Sequence, residues 1–417
     1  MSSGTWSMRP AVVISSFTMG LGVIRALGSN GVPVVVVQYD DNDMGYVSRH
    51  VRELVRAPNP ATEEDGFIQL LLDRAPRYDR GLLVPASDSS LVAVSKHKAV
   101  LEERYVVAAT DWPVTRLFIE KRETYALAEA VGVAAPKTMV PTSLAEVERY
   151  AETALYPCLV KPSQGHLYKA AFGSKMRRVD RSDQLVNAYR EATDVGLEVM
   201  LQELIPGPDG NGANYNSYRW GGGDPLVEFT ARKIRGSPPE LGSPRVARSE
   251  ELPDVVGPGR AILQAMDFSG FSCTEFKLDA RDGVWKLMEV NGRHNLSSLL
   301  AVRCGVNFPL LQYRHLIEGI TPTANDYEQG VYWIDLIRDT ACNVGYLRRE
   351  PYRFRDYVEP YRRPHVFAIW DLHDPKPFFI RLANLIRSAF SSLVHRLRLG
   401  RGDGDRAPEA SRSKMAP

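Results

Sequence analysis

Ser272-Cys-Thr-Glu-Phe-Lys-Leu-Asp279 is followed, across Asp282-Gly283, by Val284-Trp-Lys-Leu-Met-Glu-Val290 and then Asn-Gly-Arg-His-Asn295. Both runs read as strands, and Asp-Gly between them is a hairpin signal. Glu289 and Asn291 are two apart, so a strand points both to one face, and the hairpin brings Glu275 alongside on its neighbour. Two carboxylates and an amide oxygen form a hard-oxygen set suited to Mg²⁺ held jointly with substrate phosphates. Without a cation those carboxylates repel. Arg293, two residues further on, can neutralise a developing acyl or phosphoryl charge.

Three upstream elements acquire meaning beside that hairpin. Lys161 ends the apolar strand Cys158-Leu-Val-Lys161-Pro162, where an ammonium can act as a point charge on phosphate. The loop 163–174 holds Gly165, Gly173 and Lys169, with Lys175 beyond it, and can close over a polyphosphate as a lid. Gln202-Glu203-Leu-Ile-Pro-Gly207 ends a strand with a carboxylate at a turn, where Glu203 and the backbone can read an adenine edge and Asp209 can accept from ribose hydroxyls. Taken singly, these are a solvated lysine, a hairpin connection and a strand stop.

The chain in front is of a different kind. Ala11-Val-Val-Ile14, a helix over Val23–Leu27, Val34-Val-Val-Val37 and Gly81-Leu-Leu-Val84 are continuous apolar strands split by short helices, as a parallel sheet covered on both faces requires. Met19-Gly-Leu-Gly22 matches half of a dinucleotide fingerprint, and the remainder is missing, so a plain strand-to-helix turn is expected. Asp88, at a strand's carboxyl end, is a site candidate by the crevice rule. A helix is expected over Thr115–Val131, ending at Gly132. The organisation expected is an open α/β domain over 1–117, an α+β domain over 118–319, a C-terminal lobe over 320–377, and a basic amphipathic helix with a flexible tail over 378–417.

Composition sets bounds. The 417 residues suffice for two or three domains, and 44% hydrophobic with 24% charged residues is an ordinary globular balance. The net charge of +2 argues against nucleic acid as a partner. It is uneven: 380–417 carries seven Arg and one Lys against two Asp and one Glu, a net of +5. That basic helix is expected to lie on an anionic membrane surface, to dock on a partner, or to pack on its own domain. Cys158, Cys273, Cys304 and Cys342 have no zinc spacing and are expected as buried free thiols. No apolar run reaches membrane-span length. The expected location is the cytoplasm, with a peripheral position at the inner membrane face as the variant the helix allows, and the base rate for oligomers favours a homodimer.

The strand Lys161, the small-residue loop, the Gln-Glu-Leu-Ile-Pro-Gly hinge and the paired strands with Glu275 and Glu289-Val-Asn291-Gly-Arg293 resemble the ATP-grasp superfamily over 118–319. Thr230-Ala-Arg-Lys-Ile-Arg235 with Pro238-Pro239 and Gly242, and Asn291-Gly-Arg-His-Asn-Leu-Ser-Ser298, look more narrowly like carboxylate-amine ligases related to D-aspartate ligase. The resemblance implies an ATP-grasp domain behind an α/β domain, with ATP and one or two Mg²⁺, or Mn²⁺, as cofactors. It implies that Lys161 meets the α/β phosphates and that Lys121, in Phe118-Ile-Glu-Lys121, meets the nucleotide from the opposite lobe. Glu203, Leu204 and Ile205 would line adenine, Asp209 would sit near ribose, and Glu275, Glu289 and Asn291 would hold metal. Lys233 and Arg293 would stabilise the transferring phosphoryl group and the acyl phosphate. The adjacent glycines of many members' phosphate loops are missing here.

The implied reaction is ATP-dependent joining of a small carboxylate to an amine through an acyl phosphate, releasing ADP and phosphate. It needs no nucleophilic side chain, in agreement with the absence of motifs such as GxSxG. The alternatives are a bicarbonate-activating carboxylase, against which stand the missing biotin-carrier segment and second ATP-grasp copy, and a nucleotide-dependent scaffold without turnover.

Overall fold

The computed structural model describes residues 6–162, 168, 171–174, 176–323, 326–346 and 353–402. Five parallel strands open the chain: β1 (Ala11–Ile14), β2 (Val34–Gln38), β3 (Val51–Arg56), β4 (Leu82–Pro85) and β5 (Val106–Val107), in the order β3-β2-β1-β4-β5. All four residues of β1 are buried, because apolar clusters cover both faces of the sheet, one around Val12, Phe67 and Tyr105 and the other around Val13, Ile24 and Tyr313. The helix after β1 spans Thr18–Gly28, five residues earlier than expected. Met19-Gly-Leu-Gly22 therefore lies inside its first turns. Gly20 is required by packing: a Cβ there would stand 2.1 Å from the Ser15 carbonyl oxygen.

A small antiparallel sheet follows, made of β6 (Thr138–Met139), β7 (Cys158–Pro162), β8 (Arg177–Val179) and β9 (Val199–Glu203) in the order β6-β9-β7-β8. With the helices Leu144–Thr153 and Ser182–Asp194 it encloses its own core around Val147, Val160 and Leu185. Residues 163–167, Lys169 and Lys175, expected in the phosphate lid, lie outside the described residues.

The third sheet has β10 (Gly212–Arg219), β11 (Val227–Ser237), β12 (Ser243–Ser249), β13 (Gly270–Leu278), β14 (Trp285–Asn291), β15 (Tyr332–Ile334) and β16 (His365–Phe367), in the order β14-β13-β10-β11-β12-β15-β16. The segment 320–377 thus adds two strands to this sheet's edge. Buried Asp339 fastens it, pairing with Arg235 (2.8 Å) and Arg245 (3.0 Å) and accepting from Tyr361 Oη (2.6 Å). The helix expected near Gly259 begins at Pro253 and carries Pro258 within it.

Two further departures position the site. The single helix expected over Thr115–Val131 is two, Trp112–Ile119 and Lys121–Ala130, broken at Glu120 with ψ near 100°. The break puts Lys121 at a helix start, and Tyr125 Oη donates to the Met288 carbonyl (2.8 Å), tying that helix to β14. The last helix, Lys376–Gly402, begins on the body: Phe378 and Ile380 pack on the cluster that holds Trp333. Residues 403–417, expected as a flexible tail, lie outside the described residues, as does the Cys342 side chain. Cys158, Cys273 and Cys304 are buried free thiols, as expected.

Candidate active site

β13 and β14 pair antiparallel with Glu275 directly opposite Glu289 and Cys273 opposite Asn291. The turn is at Gly283, whose φ of +71° is the left-handed conformation an Asp-Gly hairpin supplies. Asn291 Nδ2 reaches Glu275 Oε1 at 3.4 Å, so the two carboxylates and the amide share one face. Burial and the Glu289 charge push the Glu275 carboxyl up to about 7, against the pull of Lys233, Arg293 and Lys121. Burial and a neighbouring carboxylate both disfavour ionisation here, and a cation between the two would relieve that cost. Among the described residues no group of three or more His, Cys, Asp and Glu could hold a metal. A cation here would draw its remaining ligands from elsewhere, as Mg²⁺ does from phosphates.

Two lysines approach this face. Lys121 Nζ pairs with Glu289 Oε1. Burial disfavours its charge, but Glu289, Tyr125 and Glu275 outweigh that and hold its pKa above the ordinary value. Lys161, on β7 of the small sheet, donates to Gln202 Oε1 (2.5 Å). Burial first, and then the Lys121 charge, bring its ammonium down to about 8. The Lys121 charge disfavours the Lys161 ammonium more than Glu289 relieves it, and an added anion such as a phosphate would favour both cations.

Lys233, Asp209 and Glu203 have partners of their own. Lys233 Nζ donates to Asp209 Oδ1 (2.9 Å) and to the Gly242 carbonyl (2.7 Å). Asp209 also accepts from the backbone N–H groups of Gly236 (2.8 Å) and Glu240 (3.1 Å), so both of its oxygens are occupied, one by the end of β11 and one by the loop that follows it. Glu203 accepts from the Lys137 N–H (3.1 Å) and pairs with Arg281. Leu204 and Ile205 are buried where the chain leaves the small sheet.

Arg293 reaches away from the carboxylates. It meets Asp88, Nε to Oδ1 at 2.7 Å and Nη2 to Oδ2 at 2.9 Å, while Nη1 lies 3.0 Å from Met19 Sδ. Asp88, a candidate only from its place after β4, thereby joins the parallel sheet to the end of the strand that carries Glu289 and Asn291. Gly292 makes the passage possible, since a Cβ there would stand 2.4 Å from the Phe118 ring. Asn295 and Ser298, in the motif after β14, are held by the protein itself: Asn295 Nδ2 donates to Asn216 Oδ1 (2.9 Å), and Ser298 Oγ donates to the Asn295 carbonyl (2.5 Å).

A cavity of about 310 Å³ opens over these groups, lined by Glu275, Glu289, Asn291 and Arg293 together with Phe17, Met19, Asn214 and Ser297. Asn214 was missed in the sequence although it stands opposite Glu275 on β10. Its strand, Gly-Ala-Asn-Tyr-Asn-Ser-Tyr-Arg, lacks an apolar run, and only the alternation of Tyr215 with small polar residues could have signalled it. Phe17 and Met19 come from the start of the helix after β1, a contribution that sequence spacing does not show.

No family model matches the chain. The D-aspartate ligase of Enterococcus faecium (strain Aus0004) is 26% identical over 254 residues, covering 56% of this chain and 58% of that ligase. The chain therefore matches less than two thirds of that relative's length. Among solved structures, an L-amino acid ligase from Bacillus licheniformis superposes with a TM-score of 0.58 at 17% identity, covering 75% of each chain. The biotin carboxylase domain dimer of the Hydrogenobacter thermophilus 2-oxoglutarate carboxylase, solved with MgADP and bicarbonate, gives 0.59 at 16% identity over 78% of this chain and 74% of that one.

Proposed function

We propose that this chain, which has the ATP-grasp fold and is related to D-aspartate ligase, joins a small-molecule carboxylate to an amine at the expense of ATP, forming an amide or peptide bond and releasing ADP and phosphate. The observation that carries the reading is the cluster of Glu275, Glu289 and Asn291 on one sheet face, with Lys121 bound to it, Lys161 nearby and Arg293 at the rim of the same cavity. The ligase is the sequence relative, whereas the carboxylase shares the fold alone.

In this reading Lys161 and Lys121 hold the phosphate chain from two sides, and its negative charge relieves their mutual repulsion. Mg²⁺, with Mn²⁺ as a substitute, would be held by Glu275, Glu289 and Asn291 and would offset charge on the phosphates. The substrate carboxylate attacks the γ-phosphorus, and Arg293 donates to the oxygens that gain charge. The amine then displaces phosphate from the acyl phosphate. The small sheet, carrying Lys161, keeps water from that intermediate. Lys233 acts at one remove, as the residue that holds the 236–242 loop against Asp209. Glu203, Leu204 and Ile205 are assigned to the adenine side, with Glu203 releasing Arg281 when nucleotide enters, and Asp209 is assigned near the ribose.

The proposed setting is the cytoplasm, where ATP is available, and the proposed assembly is a homodimer on base rates. No helix among the described residues is long and apolar enough to cross a membrane. The test is product analysis: Mg-ATP with pooled amino acids and small carboxylates, assayed for ADP and phosphate and then by mass spectrometry. A ligase gives phosphate only with particular acid and amine pairs, plus a new mass equal to their sum less water. Bicarbonate-dependent phosphate release with no such mass would assign the carboxylase reaction instead.

A further inference from the structure

Among its described side chains the helix Lys376–Gly402 has two apolar faces, one packed on the body and one largely exposed, where the Phe379 ring meets Trp370 edge-on at 6.3 Å. At 100° per residue, Phe378, Ile380, Arg381, Asn384 and Leu385 point to one side. That side meets the body: Phe378 and Ile380 pack on the core, the Arg381 guanidinium lies 5.0 Å over the Phe17 ring, and Asn384 Nδ2 donates to the Asp41 carbonyl (3.4 Å). Phe379, Leu382, Ile386 and Phe390 point the opposite way and stand 57%, 40%, 62% and 67% exposed. Leu393 and Leu397 continue the same spacing in the sequence.

Charge identifies what covers this stripe. Lys376, Arg381, Arg387, Arg396, Arg398 and Arg401 fall within the helix, and it contains no Asp or Glu. A second copy would set this charge against its own like. A nucleic acid would satisfy the arginines but leave two phenylalanines, a leucine and an isoleucine in water. An anionic lipid surface satisfies both, with apolar side chains below the headgroups and cations at their level. At 1.5 Å per residue the helix is about 40 Å long, and it is too polar to cross a bilayer, so it lies in the interface plane.

We infer that the helix Lys376–Gly402 is an interfacial membrane anchor, inserting Phe379, Leu382, Ile386 and Phe390 into the headgroup boundary of a membrane that carries anionic lipid. The inference is independent of the ligase reading, and its test needs no turnover. The full chain is floated with phosphatidylcholine vesicles, with and without about a third phosphatidylglycerol. Flotation is expected only with the anionic vesicles and is expected to weaken as salt is raised. The triple variant Phe379→Ser, Ile386→Ser, Phe390→Ser and the single variant Arg387→Glu should each bind at least about tenfold more weakly, with melting temperatures unchanged because the altered side chains are exposed. Absence of flotation, or binding that the triple variant leaves intact, overturns the proposal. A triple variant that turns an oligomer into a monomer in sedimentation, while vesicles bind neither protein, would assign the face to a second copy and overturns it equally.

Discussion

Asp88 and Arg293, 205 residues apart in sequence, meet at two points, Oδ1 to Nε at 2.7 Å and Oδ2 to Nη2 at 2.9 Å. The first opens a helix of the parallel-sheet domain, and the second follows the strand that carries Glu289 and Asn291. The Asp88 side chain is 60% exposed, so the pair adds at most about 1 kcal/mol to stability. Its effect is on where the guanidinium points. Asp88→Asn is expected to leave the melting temperature nearly unchanged and to lower kcat about tenfold, with a smaller effect on KM, because Arg293 then meets the charge-gaining oxygens less well. Steady-state kinetics checks this, and a loss shared equally with a scrambled fold would refute the positioning role.

Removing the charges that face the phosphates is expected to cost far more. Lys161→Ala and Glu289→Ala should each lower turnover at least about a hundredfold while far-ultraviolet circular dichroism stays native. Each residue lies on a strand whose backbone pairing does not involve its side chain. Full turnover in both variants would remove the site assignment.

The Glu275 carboxyl, pushed up to about 7 from an ordinary 4.5, makes cation binding depend on pH. Below about 7 the site must shed a proton before both carboxylates can share a divalent ion, so Mg²⁺ affinity should rise with pH through that value and level off above it. Folding stability without metal runs the other way. The folded chain holds the proton that the unfolded chain has already lost between about 4.5 and 7, so this group's contribution falls as pH rises across that window. Calorimetric Mg²⁺ titrations in buffers of different ionisation enthalpy should detect the released proton. Glu275→Gln should abolish the pH dependence, and a flat affinity profile in the native chain would contradict the shared-cation geometry.

Gly292 offers a test of packing. Gly292→Ala sets a Cβ 2.4 Å from Phe118 Cζ, and Phe118 is itself held against Phe268 with ring centroids 5.7 Å apart. The ring has little room to retreat, so urea unfolding should show a loss of about 1–3 kcal/mol. An unchanged midpoint would mean that the helix Trp112–Ile119 yields easily.

The two ends of the last helix should respond differently to truncation. Deleting 388–417 spares Phe378, Ile380, Arg381 and Asn384, which make the contacts with the body described above, and should preserve solubility and any turnover. Deleting 378–417 also takes away Phe378 and Ile380, which lie on the core around Trp333, and should lower stability by a few kcal/mol. Thermal melts of the two truncated chains decide this, and equal melts would place the packed turn outside the cooperative unit.

Much of this was legible before the fold. The hairpin register of Glu275 and Glu289 follows from strand periodicity and one Asp-Gly turn, because both signals are local. The strand Cys158–Pro162 was likewise bounded by its own apolar run. What escaped depends on distant partners. β10 has no apolar run because its burial comes from tyrosines, Tyr215 under the helix Pro253–Ala265 and Tyr218 in the cluster around Phe271 and Trp333. Glu120 breaks a helix for no reason that its neighbours in sequence display. The partners of Asp209 and Asn295 come from elsewhere on the folded chain, the end of β11 with the loop after it and strand β10, whereas Ser298 Oγ bonds the Asn295 carbonyl three residues back.

Asp374 fixes the root of the last helix. Its carboxylate takes Arg25 Nε (3.0 Å), Ser48 Oγ (2.7 Å) and the Arg49 N–H (2.9 Å), two residues before the helix begins. A helix leashed by a slack linker would let the protein tumble freely beneath whatever it touched. One clamped at its base transmits a heading, so a surface that captured Phe379 and Phe390 would also dictate which way the cleft over Glu275 and Glu289 looks out.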